Sequence, residues 1–493
     1  MRLTERTRKI FFPGDRIHGA SACTVALGIL LLGALLRAQT ASVTLNGAQA
    51  YQVIEGFGVN ANHRSSNGTE LQPVLNALID QAGMTLFRVV YDNTDWEEVN
   101  DNSNPAVMNW TYYNTIYGSA QFARLWDMIA FLNQRGITDG VMFNFMGPGP
   151  SWMGGGWLTA GMEEEWAEQI ASLLYYARYT RGLTFRLVGP GNEPDYVNEG
   201  ISMDASQYAT CLHKLVQKLD GNGLGDMRIV APDLAAGGTA YMPEMMADPL
   251  IMGKLGHFGL HSYSNGGGGA TGVSDYIRSS AYPDRTFWIT EFNTWCSTCD
   301  TPSRGVYDWS YCRGTAENLL GHLAVGASAG IVWEGYDSFY RHWPSTWSYW
   351  GLFSVDDENA AVKSYTPRKN FYTVAQISRF VRPGARRIEL GGSIYPFWPL
   401  LAFYHSGLGQ LTVVGINPTA ASVTLRGTLA SLPPLSGLDL YYTSAGANLA
   451  SAGRVPVNAG TFSASIPADC VFTLSGSLGS APAAPQNLRI KTP

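Results

Sequence analysis

GVMFNF (140–145), EEEWAEQIASLLYYARY (163–179) and TFRLV (184–188) are three successive segments that define the repeating unit of the fold. The first and third are short and rich in apolar residues, which predicts strands. In the middle segment, large apolar side chains recur at three- and four-residue steps: Trp166, Ile170, Leu173 and Leu174. That spacing predicts a helix with one apolar face. The stretch therefore predicts a strand, a helix and a second strand.

The same alternation extends over residues 51–382. Strands are predicted at 51–59, 84–90, 140–145, 184–188, 227–231, 258–261, 287–290 and 330–333. Helices are predicted at 71–81, 121–135, 163–179, 205–219, 242–253, 273–280, 316–327 and 368–380. Eight such units predict an α/β fold, a (β/α)8 TIM barrel. An open doubly wound sheet is the alternative, but no Gly-rich phosphate motif opens any unit.

The pattern of alternating strands and helices ends after residue 382. Residues 383–478 hold short alternating runs interrupted by Gly, Pro, Asn and Ser. This pattern predicts a C-terminal antiparallel β-sandwich side domain. Residues 39–50 are strand-like, and we expect them to join that sandwich. The Ala- and Pro-rich stretch 479–493 is predicted to be a flexible tail.

Residues 1–38 have the layout of a secretory signal peptide: a basic start, an apolar run at 20–36 and small residues at the end. A membrane anchor is the alternative interpretation. Cleavage would give a secreted or periplasmic protein without a membrane partner, because no later stretch approaches about 18 apolar residues. Among the 493 residues, 45% are hydrophobic and 15% charged, with a net charge of −6, so a disordered chain and nucleic-acid binding are disfavoured.

Five cysteines remain after signal removal: Cys211, Cys296, Cys299, Cys312 and Cys470. The group at 296–312 could bind zinc, but it lacks a fourth ligand at zinc-finger spacing. Exported proteins oxidise their thiols, so we expect a disulfide within this group. No metal ion or other cofactor is predicted.

Two glutamates occupy the ends of predicted barrel strands. Glu193 follows strand four within Gly189-Pro190-Gly191-Asn192-Glu193-Pro194, and Glu291 ends strand seven within Trp288-Ile289-Thr290-Glu291. Barrel enzymes carry their chemistry at this rim. Each Glu alone could cap a helix or pair with an arginine, but two on one rim indicate paired catalysis. Glycoside hydrolysis uses such a pair, one group protonating the leaving oxygen and the other attacking the anomeric carbon or activating water.

The motif Asn192-Glu193-Pro194, together with Glu291, resembles the retaining glycoside hydrolases of clan A. Three further segments are similar to glycoside hydrolase family 30: Glu55-Gly56-Phe57-Gly58, 148–153 and 371–385. The resemblance spans residues 50–390, and the side β-structure of that family would account for the remainder.

The resemblance implies roles for individual residues. Glu193 would be the acid/base, Glu291 the nucleophile, and Asn192 would bind the sugar 2-hydroxyl. Arg88, near the end of strand two, would hold the nucleophile ionised, although it could instead pair with another acid. Tyr263 would hydrogen-bond Glu291, and His261 would line the acid/base side, although His261 could equally be a structural residue. Trp333 would lie under the sugar.

Trp152 and Trp295 follow strands in the predicted loops, where flat aromatic rings can cover the apolar faces of sugars. They could equally be part of the core. The resulting hypothesis is a secreted, monomeric, retaining β-glycoside hydrolase. Its partner would be a carbohydrate polymer or oligosaccharide, such as xylan, β-glucan or galactan. An exo-acting β-xylosidase, β-glucosidase or β-glucuronidase is the alternative, and a non-catalytic carbohydrate-binding protein is a remote one.

Overall fold

The computed structural model describes residues 39–477, except 66–68, 93–96, 198, 236, 264–267, 302–307 and 344–345. The predicted signal peptide (1–38) and tail (479–493) lie outside the described residues. The first element of the described residues is strand β1 (Thr40–Val53). None of the helices among the described residues is long and apolar enough to cross a membrane.

Eight parallel strands follow and close into a barrel, which confirms the predicted (β/α)8 fold. They are β2 (Gly56–Asn62), β3 (Leu86–Asp92), β4 (Val141–Met146), β5 (Leu187–Gly189), β6 (Arg228–Leu234), β7 (Leu255–Ser262), β8 (Thr286–Phe292) and β9 (Ala329–Val332). Most are buried along their whole length, because side chains fill the barrel and helices cover its outside.

The helices between and after the barrel strands are α1 (Gln72–Asp80), α2 (Trp110–Tyr117), α3 (Ala120–Gln134), α4 (Glu163–Tyr175), α5 (Ala205–Gly221), α6 (Met242–Met246), α7 (Pro249–Lys254), α8 (Gly268–Ser279), α9 (Trp309–Ala324) and α10 (Lys369–Ser378). Short 3-10 turns occupy His63–Ser65 and Ser151–Met153, and a π turn, Tyr176–Thr180, continues α4.

The helix predicted at 242–253 is two helices, α6 and α7. The carboxylate of Asp248 accepts hydrogen bonds from the backbone N–H groups of Leu250 and Ile251, and Pro249 occupies the first position of α7. An Asp cap followed by proline is typical of a helix N-terminus, so a new helix begins at Pro249.

Short paired strands follow the barrel: β10 (Ser338–Tyr340) with β11 (Thr346–Ser348), and β12 (Phe353–Val355) with β13 (Tyr365–Pro367). The sequence did not predict these two hairpins or α2.

The remaining strands form a separate sheet: β14 (Arg386–Ser393), β15 (Leu400–His405), β16 (Gln410–Asn417), β17 (Val423–Ala430), β18 (Gly437–Ser444), β19 (Ala447–Pro456), β20 (Thr461–Ile466) and β21 (Cys470–Ser477). With β1 they form nine strands in the order β19-β18-β21-β16-β15-β14-β1-β17-β20. Every neighbouring pair is antiparallel except β1 with β17. The predicted side domain is therefore confirmed, and the parallel pair is an addition to it.

Cys296 and Cys299 form a disulfide with a Cα–Cα distance of 5.5 Å, which confirms the predicted crosslink. Cys312 is buried and lies outside the disulfide, as do Cys211 and Cys470. The two bonded sulfurs leave no thiolate pair for zinc.

Candidate active site

The carboxyl ends of the barrel strands bring the predicted polar residues together. Glu193 lies four residues beyond the end of β5, and Glu291 is the penultimate residue of β8. In the register of β7 with β8, His261 is directly beside Glu291. In the register of β2 with β3, Asn60 is beside Arg88. Neighbouring parallel strands thus place these four side chains on one rim.

Glu193 and Glu291 approach closely around His261. One ligand atom from each of the three side chains lies within 4.8 Å of the other two. His261 Nδ1 is 2.7 Å from Glu193 Oε1 and 3.4 Å from Glu291 Oε2. Carboxyl groups about 5–5.5 Å apart are characteristic of retaining glycosidases, and about 6.5–9.5 Å of inverting ones. The chosen oxygens of the pair lie closer together than the inverting range, which favours the retaining geometry.

Arg88 is fully buried and binds four side chains at once. Its Nη1 donates to Glu291 Oε1 at 2.6 Å and to Asn60 Oδ1 at 2.7 Å. Its Nη2 donates to Asn192 Oδ1 at 2.7 Å and to Asp233 Oδ2 at 3.2 Å. The planar guanidinium therefore fixes the nucleophile candidate and the amide beside the acid candidate in one frame.

Asp233, at the end of β6, is a member of this network that the sequence analysis missed. Its Oδ1 accepts from Thr290 Oγ1 at 2.5 Å, and its carbonyl accepts from the Glu193 N–H at 3.0 Å. A Cβ at Gly259 would lie 1.9 Å from Asp233 Oδ1, so only glycine leaves room for this carboxylate. The signal was present in the sequence: Asp233 follows an apolar strand, as Glu193 and Glu291 do.

Asn192 and Glu193 are positioned by the turn after β5. Asn192 Oδ1 accepts the hydrogen bond from Arg88, so the other amide atom, Nδ2, is the donor. Nδ2 donates to the Glu199 carbonyl at 3.2 Å. Glu193 has φ +44°, a left-handed conformation that is uncommon outside glycine. Such backbone strain concentrates at functional sites.

Tyr263 completes the contacts of Glu291, because its hydroxyl donates to Oε2 at 2.9 Å. Both oxygens of Glu291 are thus bound, Oε1 by Arg88 and Oε2 by Tyr263. The carboxylate is only 3% exposed, so these bonds replace its hydration.

Burial raises the pKa of both carboxyl groups. The pKa of Glu193 is raised to about 8 by burial and by the negative charges of Glu199 and Asp195. The pKa of Glu291 is also raised by burial, against the opposing effects of His261 and Arg88. The sequence analysis expected Arg88 to hold Glu291 low, and desolvation outweighs that effect here. Burial lowers the pKa of His261, which favours the neutral imidazole.

The three predicted tryptophans have different surroundings. Trp295 is 65% exposed and packs edge-on against Tyr263 at 6.0 Å, so its face is open beside the site. Trp333 is only 4% exposed and stacks on Tyr340 at 5.3 Å. Trp152 donates from Nε1 to the Glu97 carbonyl at 2.7 Å, which anchors the loop after β3. Trp295 has the most open face of the three.

The rim carries a third acid, Glu334, directly after Trp333. It is fully buried, and Tyr340 donates to its Oε2 at 2.7 Å. Burial raises its pKa well above the usual range, and its bond to Tyr340 holds it apart from the pair.

The cluster of Glu193, His261 and Glu291 also has the spacing of three metal ligands. However, Arg88 already lies 2.6 Å from Glu291 and supplies a positive charge there. The arrangement suits proton transfer and nucleophilic attack, which need carboxyl groups open to a substrate.

Comparison with known proteins agrees with this geometry. The glycosyl hydrolase catalytic core family matches residues 161–313, which include both glutamates. The chain is 21% identical to the glucuronoxylanase XynC of Bacillus subtilis strain 168 over 465 residues, 92% of this chain and 96% of the relative. The chain is a glycoside hydrolase that resembles family 30.

Solved structures show the same fold for this family 30-like hydrolase. The family 30 subfamily 8 xylanase Xyn30A from Clostridium acetobutylicum superposes with a TM-score of 0.66 at 18% identity, covering 88% of this chain and 99% of that one. The catalytic domain of xylanase C from Talaromyces cellulolyticus gives 0.64 at 21% identity, covering 88% and 100%.

Proposed function

We propose that this glycoside hydrolase is a secreted, retaining enzyme that cleaves a β-linked plant cell-wall polysaccharide by double displacement. The observation that carries the proposal is the short separation of Glu193 and Glu291, whose ligand atoms lie within 4.8 Å of each other and of His261. That gap leaves no room for a water between nucleophile and sugar, so direct attack by a carboxylate is favoured.

The first step uses Glu193 as the acid. With a pKa of about 8, Glu193 is protonated at neutral pH and can donate its proton to the departing glycosidic oxygen. Glu291 is the group in direct contact with Arg88, so of the two it is the one that ionises first. The C–O bond to the leaving group breaks as one Glu291 oxygen forms a bond to the anomeric carbon.

The second step reverses the proton transfer. Glu193, now a carboxylate, removes a proton from water, and the resulting hydroxide attacks the anomeric carbon and releases Glu291. Asn192 Nδ2 is the donor placed to bind the sugar 2-hydroxyl, and Trp295 offers an aromatic face to a sugar ring. The two carboxyl groups share one proton through the cycle, so their macroscopic pKa values belong to the pair.

Xylan is the first substrate to test, since relatives of the chain are named glucuronoxylanase and xylanase. The decisive experiment incubates the purified protein with xylan, glucuronoxylan, β-1,3- and β-1,6-glucans and galactans, and sizes the products. A ladder of oligomers supports endo cleavage, and monosaccharide alone supports the exo alternative. Proton NMR of the first product should show retained β configuration, whereas an α product would refute the mechanism.

The acid/base assignment has its own test. Glu193→Gln should lower turnover of polysaccharide by about 10²–10⁴-fold. The same variant should lose far less on aryl glycosides whose leaving groups need little protonation. Equal loss on both substrates would contradict the role of Glu193.

A further inference from the structure

A second group of acids lies where the loop after β3 meets helix α4. This acidic cluster consists of Glu97, Asp101, Glu165 and Glu168. One ligand atom each from Asp101, Glu165 and Glu168 lies within 4.8 Å of the other two. Glu97 lies close enough to interact electrostatically with all three. The cluster shares no residue with the candidate active site.

The carboxylates of the acidic cluster are buried. Glu168 is 0% exposed, Glu97 1% and Glu165 7%, while Asp101 is half-buried and opens toward the surface. Four like charges out of water are strongly unfavourable unless a cation balances them or the groups are protonated. Burial alone therefore requires an explanation.

Hydrogen bonds inside the protein leave much of the cluster unsatisfied. Both carboxylate oxygens of Glu168 lack a partner, as do Oε2 of Glu97, Oε2 of Glu165 and Oδ1 of Asp101. The remaining oxygens of Glu97 and Asp101 are held by Tyr113 at 3.0 Å and by the Asn109 N–H at 2.7 Å. The cluster thus presents oxygen atoms that are oriented but unpartnered.

One lysine, Lys218, lies close enough to interact electrostatically with Glu165 and Glu168, but it forms no ion pair with either. Lys218 lies 3.7 Å from Glu164, outside the cluster, and donates to the Pro105 carbonyl. Among the described ranges of the chain, no Lys or Arg nitrogen lies within ion-pair distance of the four carboxylates. One lysine beyond ion-pair distance does not balance four acids, and a cation from solution would occupy the unpartnered oxygens.

We propose that Asp101, Glu165 and Glu168, with Glu97 beside them, bind one Ca²⁺ ion. Ca²⁺ takes six to eight oxygen ligands at about 2.3–2.6 Å, so ligands on opposite sides of one ion are about 4.8 Å apart. Mg²⁺ fits less well, because it keeps several waters and rarely accepts an all-protein cage. The ion ties the loop after β3 to α4 and so braces the rim of the barrel.

Calcium binding is measured on the purified full-length protein after treatment with EDTA. We expect Ca²⁺ at about 100 times its Kd to raise Tm by about 2–5 °C. Terbium should bind the same oxygens and luminesce under tyrosine excitation, because Tyr113 touches Glu97. Unchanged Tm together with no terbium luminescence would overturn the proposal.

Two matched variants locate the ion. Glu168→Gln should lose the Ca²⁺-induced shift and the luminescence, and in EDTA its Tm should exceed that of the wild type because like-charge repulsion is relieved. Glu164→Gln removes the same charge from the same helix, and should keep both signals. Retention of binding in Glu168→Gln would overturn the assignment.

A third variant excludes the active-site trio as the source of the signal. Glu193→Gln alters one of the other three potential ligands, and should keep both the shift and the luminescence. Loss of both in Glu193→Gln would place the ion at the rim pair and overturn the proposal.

Discussion

The barrel rim and the acidic cluster bury similar numbers of carboxylates, but among the described residues only the rim has a cation in direct contact with its carboxylates. Glu291 and Asp233 both contact Arg88, at 2.6 and 3.2 Å. Glu165 and Glu168 contact no such group among the residues described. A built-in guanidinium leaves the rim carboxylates available for chemistry. Without one, the acidic cluster depends on an ion from solution, which suits binding rather than turnover.

The largest expected effect is on turnover at the rim. Glu291→Gln keeps the shape but removes the nucleophile, so activity on every substrate should fall by at least about 10⁴-fold. Initial rates on xylan and on an aryl glycoside measure it.

Glu55→Gln is the control for that loss. Glu55 lies just before β2, at the opposite end of the barrel, where its Oε2 accepts from Trp288 Nε1 at 2.7 Å. The Glu55→Gln enzyme should remain as active as the wild type. A Glu291→Gln enzyme within tenfold of the wild type would eliminate the proposed mechanism.

Removing the guanidinium of Arg88 should leave the carboxylates of the rim, like those of the acidic cluster, without a cation in contact. Arg88→Met leaves Glu291 and Asp233 buried without their cationic partner, which should cost about 3–5 kcal/mol of unfolding free energy in urea. Adding Asp233→Asn should recover part of that loss, because the two residues are in contact. Strictly additive destabilisation would show that Arg88 and Asp233 are not coupled.

The free energy of unfolding should also depend on pH through Glu193. The pKa of Glu193 is about 8 in the folded protein, above its ordinary 4.5, so the folded state binds this proton more tightly. Stability from this group is present below pH 4.5 and is lost as pH rises through 8. Glu193→Gln should therefore be more stable than the wild type at pH 8, by on the order of 2 kcal/mol, and similar at pH 4. A constant difference in urea midpoint across that range would contradict the shift.

The smallest effect concerns the neighbours that tune Glu193. The negative charges of Glu199 and Asp195 raise its pKa, Glu199 more strongly. Glu199→Gln should shift the alkaline limb of kcat/KM to lower pH by less than about one unit, and Asp195→Asn by less again. A shift to higher pH in either variant would reverse the electrostatic account.

Local patterns made the barrel and its glutamate pair predictable. Apolar runs marked each barrel strand within a few residues, and an acid directly after such a run is conspicuous. Asp233 met the same criterion and was overlooked. The contacts of Arg88 were not accessible, because they join four strands whose register the local sequence does not state.

Helix α4 shows why the acidic cluster escaped sequence analysis. The periodicity of α4 defined only its apolar face, through Trp166, Ile170, Leu173 and Leu174. Glu165 and Glu168 lie outside that set, where carboxylates are normally solvated. In the structure every residue from Glu165 to Leu174 is buried, because other parts of the chain cover that polar face as well. Part of that cover comes from the loop after β3, and from α2, which the sequence did not predict.

The place of β1 in the side sheet has a consequence for how the protein can be made and divided. This N-terminal strand lies between β14 and β17, antiparallel to the first and parallel to the second. During synthesis it must wait for some 330 residues before either neighbour leaves the ribosome, which β14 (Arg386–Ser393) does first. Residues 383–477 without β1 would leave the edges of β14 and β17 unpaired. The side domain therefore cannot be expressed or moved to another protein without β1.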